Sequence, residues 1–145
     1  MEGKSMIGTR ALAVVWIMLG SVVAAYGGEV SFQKDIYPVL QANCALCHSP
    51  GGIGYAQSGF SVETYQTLME GTKYAAVINP GSSISSNLMW LLDHRAHASI
   101  NMPKVCEQVS REFQKCALAS QSARWLSQHE LTLIKEWVDR GAKDN

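Results

Sequence analysis

Cys44-Ala45-Leu46-Cys47-His48 is the stretch from which the rest of this chain is read. Cys-x-x-Cys-His is the signature of covalent haem attachment, and its spacing has a physical reason. One turn of helix sets two thiols where each reaches one vinyl group of the same porphyrin. The next residue, His48, then lies under the iron with an imidazole nitrogen to donate. Covalent linkage also retains the group in a domain too small to enclose it. Other uses of the pair fit less well. A zinc site needs a second close pair of ligands, whereas Cys106 and Cys116 stand ten positions apart. A thioredoxin-like redox pair belongs in a βαβ pattern, and no alternating strand pattern runs for more than a few residues here. A Cys44–Cys47 disulfide would leave His48 unexplained.

Upstream of the motif, Phe32, Ile36, Val39 and Leu40 recur at helical spacing behind Ser31, a suitable N-cap. The spacing predicts a helix over 31–43, running through Cys44 and stopping near His48, where Ser49-Pro50-Gly51-Gly52 is turn chemistry. Pro38 implies either a kink or a start nearer Tyr37. Gly51 to Gly59 reads as a loose loop; it lacks the Gly-Lys-Ser/Thr ending of a phosphate cradle, and its glycines suit chain passing close to a bulky group. A second helix is expected from Ser61 to about Met69, stopped by Gly71. After the turn at Asn79-Pro80-Gly81 a third is expected near Ser85 to His94, with Leu88, Leu91 and Leu92 apolar. Ile100 to Lys104 should be extended, because Pro103 disfavours helix at Met102. The last helix opens on a capping box, Ser127 with Glu130 three residues on. Leu131, Ile134, Trp137 and Val138 form its buried stripe, and Gly141 is the expected residue just past its end.

An iron held by His48 has a second axial position, and Met102 is the preferred candidate for it. Ile100-Asn101-Met102-Pro103 is non-helical, and it lies far enough beyond His48 for the chain to return on the opposite face. Met/His ligation is also the common cytochrome c pairing. Met69 and Met89 fall on expected helices and read as core filler. His94 and His97 are the rivals, three residues apart on one helical face, although each also suits an ordinary surface position. His129 belongs to the capping box and faces solvent. In an oxidising compartment the remaining cysteines, Cys106 and Cys116, are expected to pair. That short loop would be worth up to about 3 kcal/mol.

The export signal is at the front. Lys4 and Arg10 precede an apolar run from Ala11 to Ala25, and small residues offer cleavage after Ala25 or Gly27. This is the layout of a secretory signal peptide over 1–27, with a single domain over 28–145. The apolar run is short for a membrane span; an uncleaved leader would leave the domain tethered. The chain carries 12 basic and 12 acidic residues. Such a balance argues against nucleic acid as a partner.

Beyond the motif, Phe32-Gln33-Lys34-Asp35-Ile36-Tyr37-Pro38-Val39-Leu40 resembles the opening of small bacterial class I cytochrome c domains. Asn79-Pro80-Gly81-Ser82, Met102-Pro103 and the closing Glu136-Trp137-Val138-Asp139-Arg140-Gly141-Ala142 resemble the same family. The likeness covers most of residues 31–145 and is most specific at the haem motif and the closing helix. It implies an all-α fold in which the N- and C-terminal helices cross and one haem c is wedged among helices and loops. It further implies Cys44 and Cys47 as thioether sites, His48 as proximal ligand and Met102 as distal ligand. A one-electron carrier in the periplasm, rather than an enzyme, follows from that resemblance, with protein donors and acceptors as partners. The same domain is also found fused to larger periplasmic oxidoreductases as an accessory unit. Without a distal ligand, it would instead be a five-coordinate sensor or weak peroxidase. The chain departs from the family pattern at 104–126, an insert that carries Cys106 and Cys116 where a short link is expected.

Overall fold

A computed structural model describes residues 28–104 and 125–145. The leader at 1–27 and the Cys106–Cys116 pairing lie outside the described residues. Among those described there are five α-helices and no strand: α1 (Tyr37–Asn43), α2 (Ile53–Ser58), α3 (Tyr65–Glu70), α4 (Asn87–Leu92) and α5 (Gln128–Asp139). The all-α expectation holds. None of these helices is long and apolar enough to cross a membrane.

Pro38 explains how the first helix begins. Proline lacks an N–H and crowds the carbonyl four residues back, so a regular α-helix from Phe32 would be broken there. The chain instead winds Phe32–Ile36 as a wider π-helical turn, with the Tyr37 N–H donating to the Phe32 carbonyl. The α-helix then starts at Tyr37, with Pro38 in its first turn. Ser31 caps the entry as expected, its hydroxyl accepting from the Lys34 N–H.

The first turn and the last helix pack against each other around two rings. Phe32 and Trp137, 1% and 2% exposed, have centroids 5.5 Å apart, and Tyr65 meets Phe32 edge-on at 5.2 Å. Ile36, Leu40, Ile134 and Val138 complete this part of the core, as their spacing predicts. The chain end is tied back to the beginning. The Phe32 N–H donates to Asn145 Oδ1 (2.9 Å), the Tyr65 hydroxyl to the Ala142 carbonyl (2.7 Å) and the Lys143 ammonium to Glu29 (2.7 Å).

α5 keeps both predicted ends. Ser127 and Glu130 form the reciprocal capping box. At the other end Gly141 takes φ +102° while the Ala142 N–H donates to the Trp137 carbonyl and the Gly141 N–H to that of Val138. This is the Schellman arrangement. Asp139, near that end, accepts from the Ser83 N–H (2.7 Å) and from Lys135 (2.6 Å). The Lys135 ammonium first, then the Ser83 donors, hold its carboxyl down at about 2.

Several expected boundaries move. The α-helix ends at Asn43, before the cysteines, and hydrogen-bonded turns carry the chain through the motif. The expected loose loop at 51–59 contains α2, closed by Gly59 at φ +74°. The second expected helix starts four residues late, at Tyr65, because Thr64 and Thr67 make their own capping box while the Val62 and Glu63 carbonyls accept from Gln41 and Tyr37 of α1. Residues 98–104 form turns and a bend rather than extended chain, with a cis peptide before Pro103.

Candidate functional site

The attachment motif is clamped from the side by the chain that follows it. The Tyr55 N–H donates to the Cys47 carbonyl and the Val62 N–H to the His48 carbonyl, both at 2.9 Å. Val62 is fixed in turn, its carbonyl accepting from Gln41 Nε2 on α1 at 2.7 Å. Two glycines permit this approach. A methyl group on Gly52 would lie 2.4 Å from the Cys47 carbonyl oxygen, and one on Gly54 would lie 2.6 Å from His48 Cε1. The bulky object that these glycines accommodate is therefore the motif's own backbone and imidazole.

A ranked cost follows. Gly54→Ala meets chiefly the His48 imidazole, with the Cys47 carbonyl oxygen at 3.0 Å, and should lose about 1–2 kcal/mol, whereas Gly52→Ala meets backbone alone, from 2.4 Å, and should lose about 3 kcal/mol. Urea unfolding midpoints of the two variants check both the direction and the order.

His48 is largely buried, with the Phe60 ring set edge-on against it at 5.2 Å. Burial pushes its imidazole below the ordinary value, against a smaller opposing pull from the Phe60 backbone. Its Nδ1 is buried with no hydrogen-bond partner among the described residues. Burial likewise raises both thiols: Cys44, with Cys47 beside it, to about 12, and Cys47 less far. A reactive redox pair needs the opposite shift. Both cysteines are free.

Cys44, His48 and Met102 line one cleft. Its walls are otherwise mainly apolar, built from Leu40, Phe60, Val62, Val77, Leu88, Leu91 and Leu92, around a volume of about 160 Å³ that opens to solvent. Gly54, Gln57, Ser58 and Thr72 supply the remainder of the lining. Such a cleft suits a large, flat, apolar group anchored at a few points. A haem fits this donor set on three counts: two thiols three residues apart, of which Cys44 lines the cleft, a largely buried imidazole on the cleft wall, and a thioether on the same apolar cleft. His48 and Met102 would hold the iron, and Cys44 and Cys47 the porphyrin edge.

The rival histidines are directed elsewhere. His97 Nδ1 pairs with the Ser99 hydroxyl at 2.8 Å, and His94 Nε2–H donates to the Met102 carbonyl at 3.2 Å; both residues are exposed and neither lines the cleft. Met89 is buried in the core and Met69 packs against it, as expected. Sequence reasoning missed Phe60 as the ring beside His48, and it missed the hold of His94 on the Met102 backbone. Neither carries a motif; the one available signal for Phe60 is a large apolar residue directly after the turn glycine Gly59.

No protein-family model and no solved structure matches this chain. The chain is similar to hydrazine synthase subunit alpha of Kuenenia stuttgartiensis, 32% identical over an alignment 135 positions long that covers 79% of this chain. It spans only 15% of the length of that relative.

Proposed function

We propose that this chain is a single-haem c-type cytochrome domain that moves one electron at a time between protein partners outside the cytoplasmic membrane. The observation that carries the reading is the convergence of Cys44, His48 and Met102 on one apolar cleft. Cys44 and Cys47 would hold the haem covalently, the S–H of each adding across one vinyl group with no net oxidation. The bound haem supplies an iron that changes oxidation state by one electron. Everything else is the work of the polypeptide. His48, boxed in by Gly54 and Phe60, presents its imidazole in a fixed orientation. Met102 offers a soft thioether, which favours the reduced metal, and the Leu88–Leu91–Leu92 wall keeps water away, which acts in the same direction. Two protein ligands leave no position for substrate, so the site favours electron transfer over bond-making chemistry. The packing of Phe32 on Trp137 supports the class I cytochrome c arrangement, and the leader supports export.

The test is spectroscopic and uses the full chain, expressed with a haem-ligation system. The oxidised protein is expected to show the far-red charge-transfer band of thioether-ligated ferric iron, and the reduced protein to bind carbon monoxide slowly. Met102→Ala should abolish the band and speed carbon monoxide binding at least about tenfold, the effect of removing some 1.4 kcal/mol of protection. A pigmented wild-type protein that lacks the band and binds carbon monoxide at once would overturn electron transfer in favour of an open-site sensor or weak peroxidase.

A second reading draws on the comparison: the domain serves a larger enzyme, passing electrons to or from a catalytic subunit. It is favoured by the likeness to a stretch of a much longer protein that is itself named as a subunit. Purification from the native source separates the two. A free carrier elutes at the size of the chain, and an accessory domain elutes with its enzyme.

A further inference from the structure

α4 and α5 end in the same backbone device with different residues at its critical position. At the end of α4 the Arg95 N–H donates to the Trp90 carbonyl (3.0 Å) and the His94 N–H to that of Leu91 (3.3 Å). These are the two hydrogen bonds of a Schellman motif, and the residue at its turn must take a left-handed conformation. At α5 that residue is Gly141; at α4 it is His94, with φ +55°. A residue bearing a Cβ is disfavoured there by roughly 1 kcal/mol relative to glycine. The local backbone gives no reason for histidine, so the reason lies in its side chain.

That side chain joins two segments. Nε2–H donates to the Met102 carbonyl, which as a pure acceptor fixes the tautomer. The ring meets Trp125 edge-on, centroids 4.1 Å apart. Met102 is also tied at its N–H, which donates to the Leu91 carbonyl at 3.1 Å. One end of α4 therefore holds Met102 on both sides of its Cα, by Leu91 through the backbone and by His94 through the imidazole.

We infer that His94 is a positioning residue: it clamps the Met102 carbonyl against the end of α4 and so fixes the thioether toward the iron. The inference rests on the ligand assignment proposed above. It gives one of the two histidines first weighed as iron ligands a different role, one step removed from the metal.

His94→Gly separates positioning from folding, because glycine suits the backbone at this turn while removing the clamp. The full-length haem-loaded variant is expected to unfold at close to the wild-type temperature. Its carbon monoxide association rate should rise about five- to tenfold, the effect of one lost hydrogen bond, and its far-red band should fade on warming well before the wild type's. His94→Gln, which keeps an N–H donor at similar reach, should restore most of both. A variant whose band and carbon monoxide rate match those of a band-positive wild type overturns the inference and leaves the ligand assignment standing. So does a band that is lost only in step with global unfolding. A wild-type protein without the band overturns the assignment and the inference together.

Discussion

Exported protein carrying alanine at both Cys44 and Cys47 is expected to have the mass of the bare polypeptide and to surrender any bound pigment to acidified organic solvent. The unsubstituted chain should keep its pigment through the same extraction. Each single variant should retain one thioether, and with it a pyridine haemochrome spectrum shifted from that of the doubly linked form. The effect is all-or-none because covalent bonds, unlike packing, are not replaced by neighbours. His48 and Met102 remain in the double variant, so some haem can still bind reversibly in the cleft formed by Leu40, Leu88 and Leu92. Solvent extraction with intact mass therefore decides the matter; colour alone does not. If the unsubstituted chain, made with a working ligation system, is itself colourless and unmodified, the haem reading fails for the whole protein.

The sequence showed the parts whose chemistry is local and left hidden those made by distant approach. The five-residue motif and the Ser127–Glu130 box each depend on residues within one helical turn, so spacing alone reveals them. The stripe of Ile134, Trp137 and Val138 is legible for the same reason, since 3.6-residue periodicity needs no tertiary information. α2 was missed because Gly52 and Gly54 read as loop-forming. Their cause is steric: they meet Cys47 and His48 at distances no Cβ tolerates. The helix expected to reach His48 stops at Asn43, where the Ala45 N–H donates to the Leu40 carbonyl five residues back and the Cys47 N–H to the Cys44 carbonyl three back, so the α pattern is lost. Met102 is legible from Pro103 and from the distance to His48; that it lines one cleft with His48 is visible only in three dimensions. The two histidines were weighed as competitors because sequence gives their spacing and not their direction. His94 meets the Met102 peptide rather than the cleft, through a left-handed turn that no periodicity announces.

Trp137→Ala is expected to cost about 3–5 kcal/mol, the range for removing a large aromatic side chain from a packed core. Trp137 has few routes to relaxation. Phe32 lies against its ring at 5.5 Å and is itself wedged by Tyr37 and Tyr65, so it cannot swing into the vacated space without abandoning two other contacts. The indole N–H donates to the Lys143 carbonyl at 2.9 Å, which bends the chain end back over the helix. Its loss also loosens the ties from Asn145 and Lys143 to Phe32 and Glu29. A domain of this size has about 5–15 kcal/mol of stability in total, so the apoprotein is expected to be partly unfolded at 37 °C. Trp137→Phe keeps most of the apolar surface and drops the hydrogen bond, and should cost about 1–2 kcal/mol. Urea unfolding followed by far-ultraviolet circular dichroism measures both. The same pair of variants also tests whether the terminal packing and the cleft are independent. Trp137 does not line the cleft, so whatever fraction of Trp137→Phe protein is folded should show the unsubstituted visible spectrum. A change in that spectrum at full folding would mean that the Phe32–Trp137 contact sets the position of α1, and through Leu40 the position of Cys44 and His48.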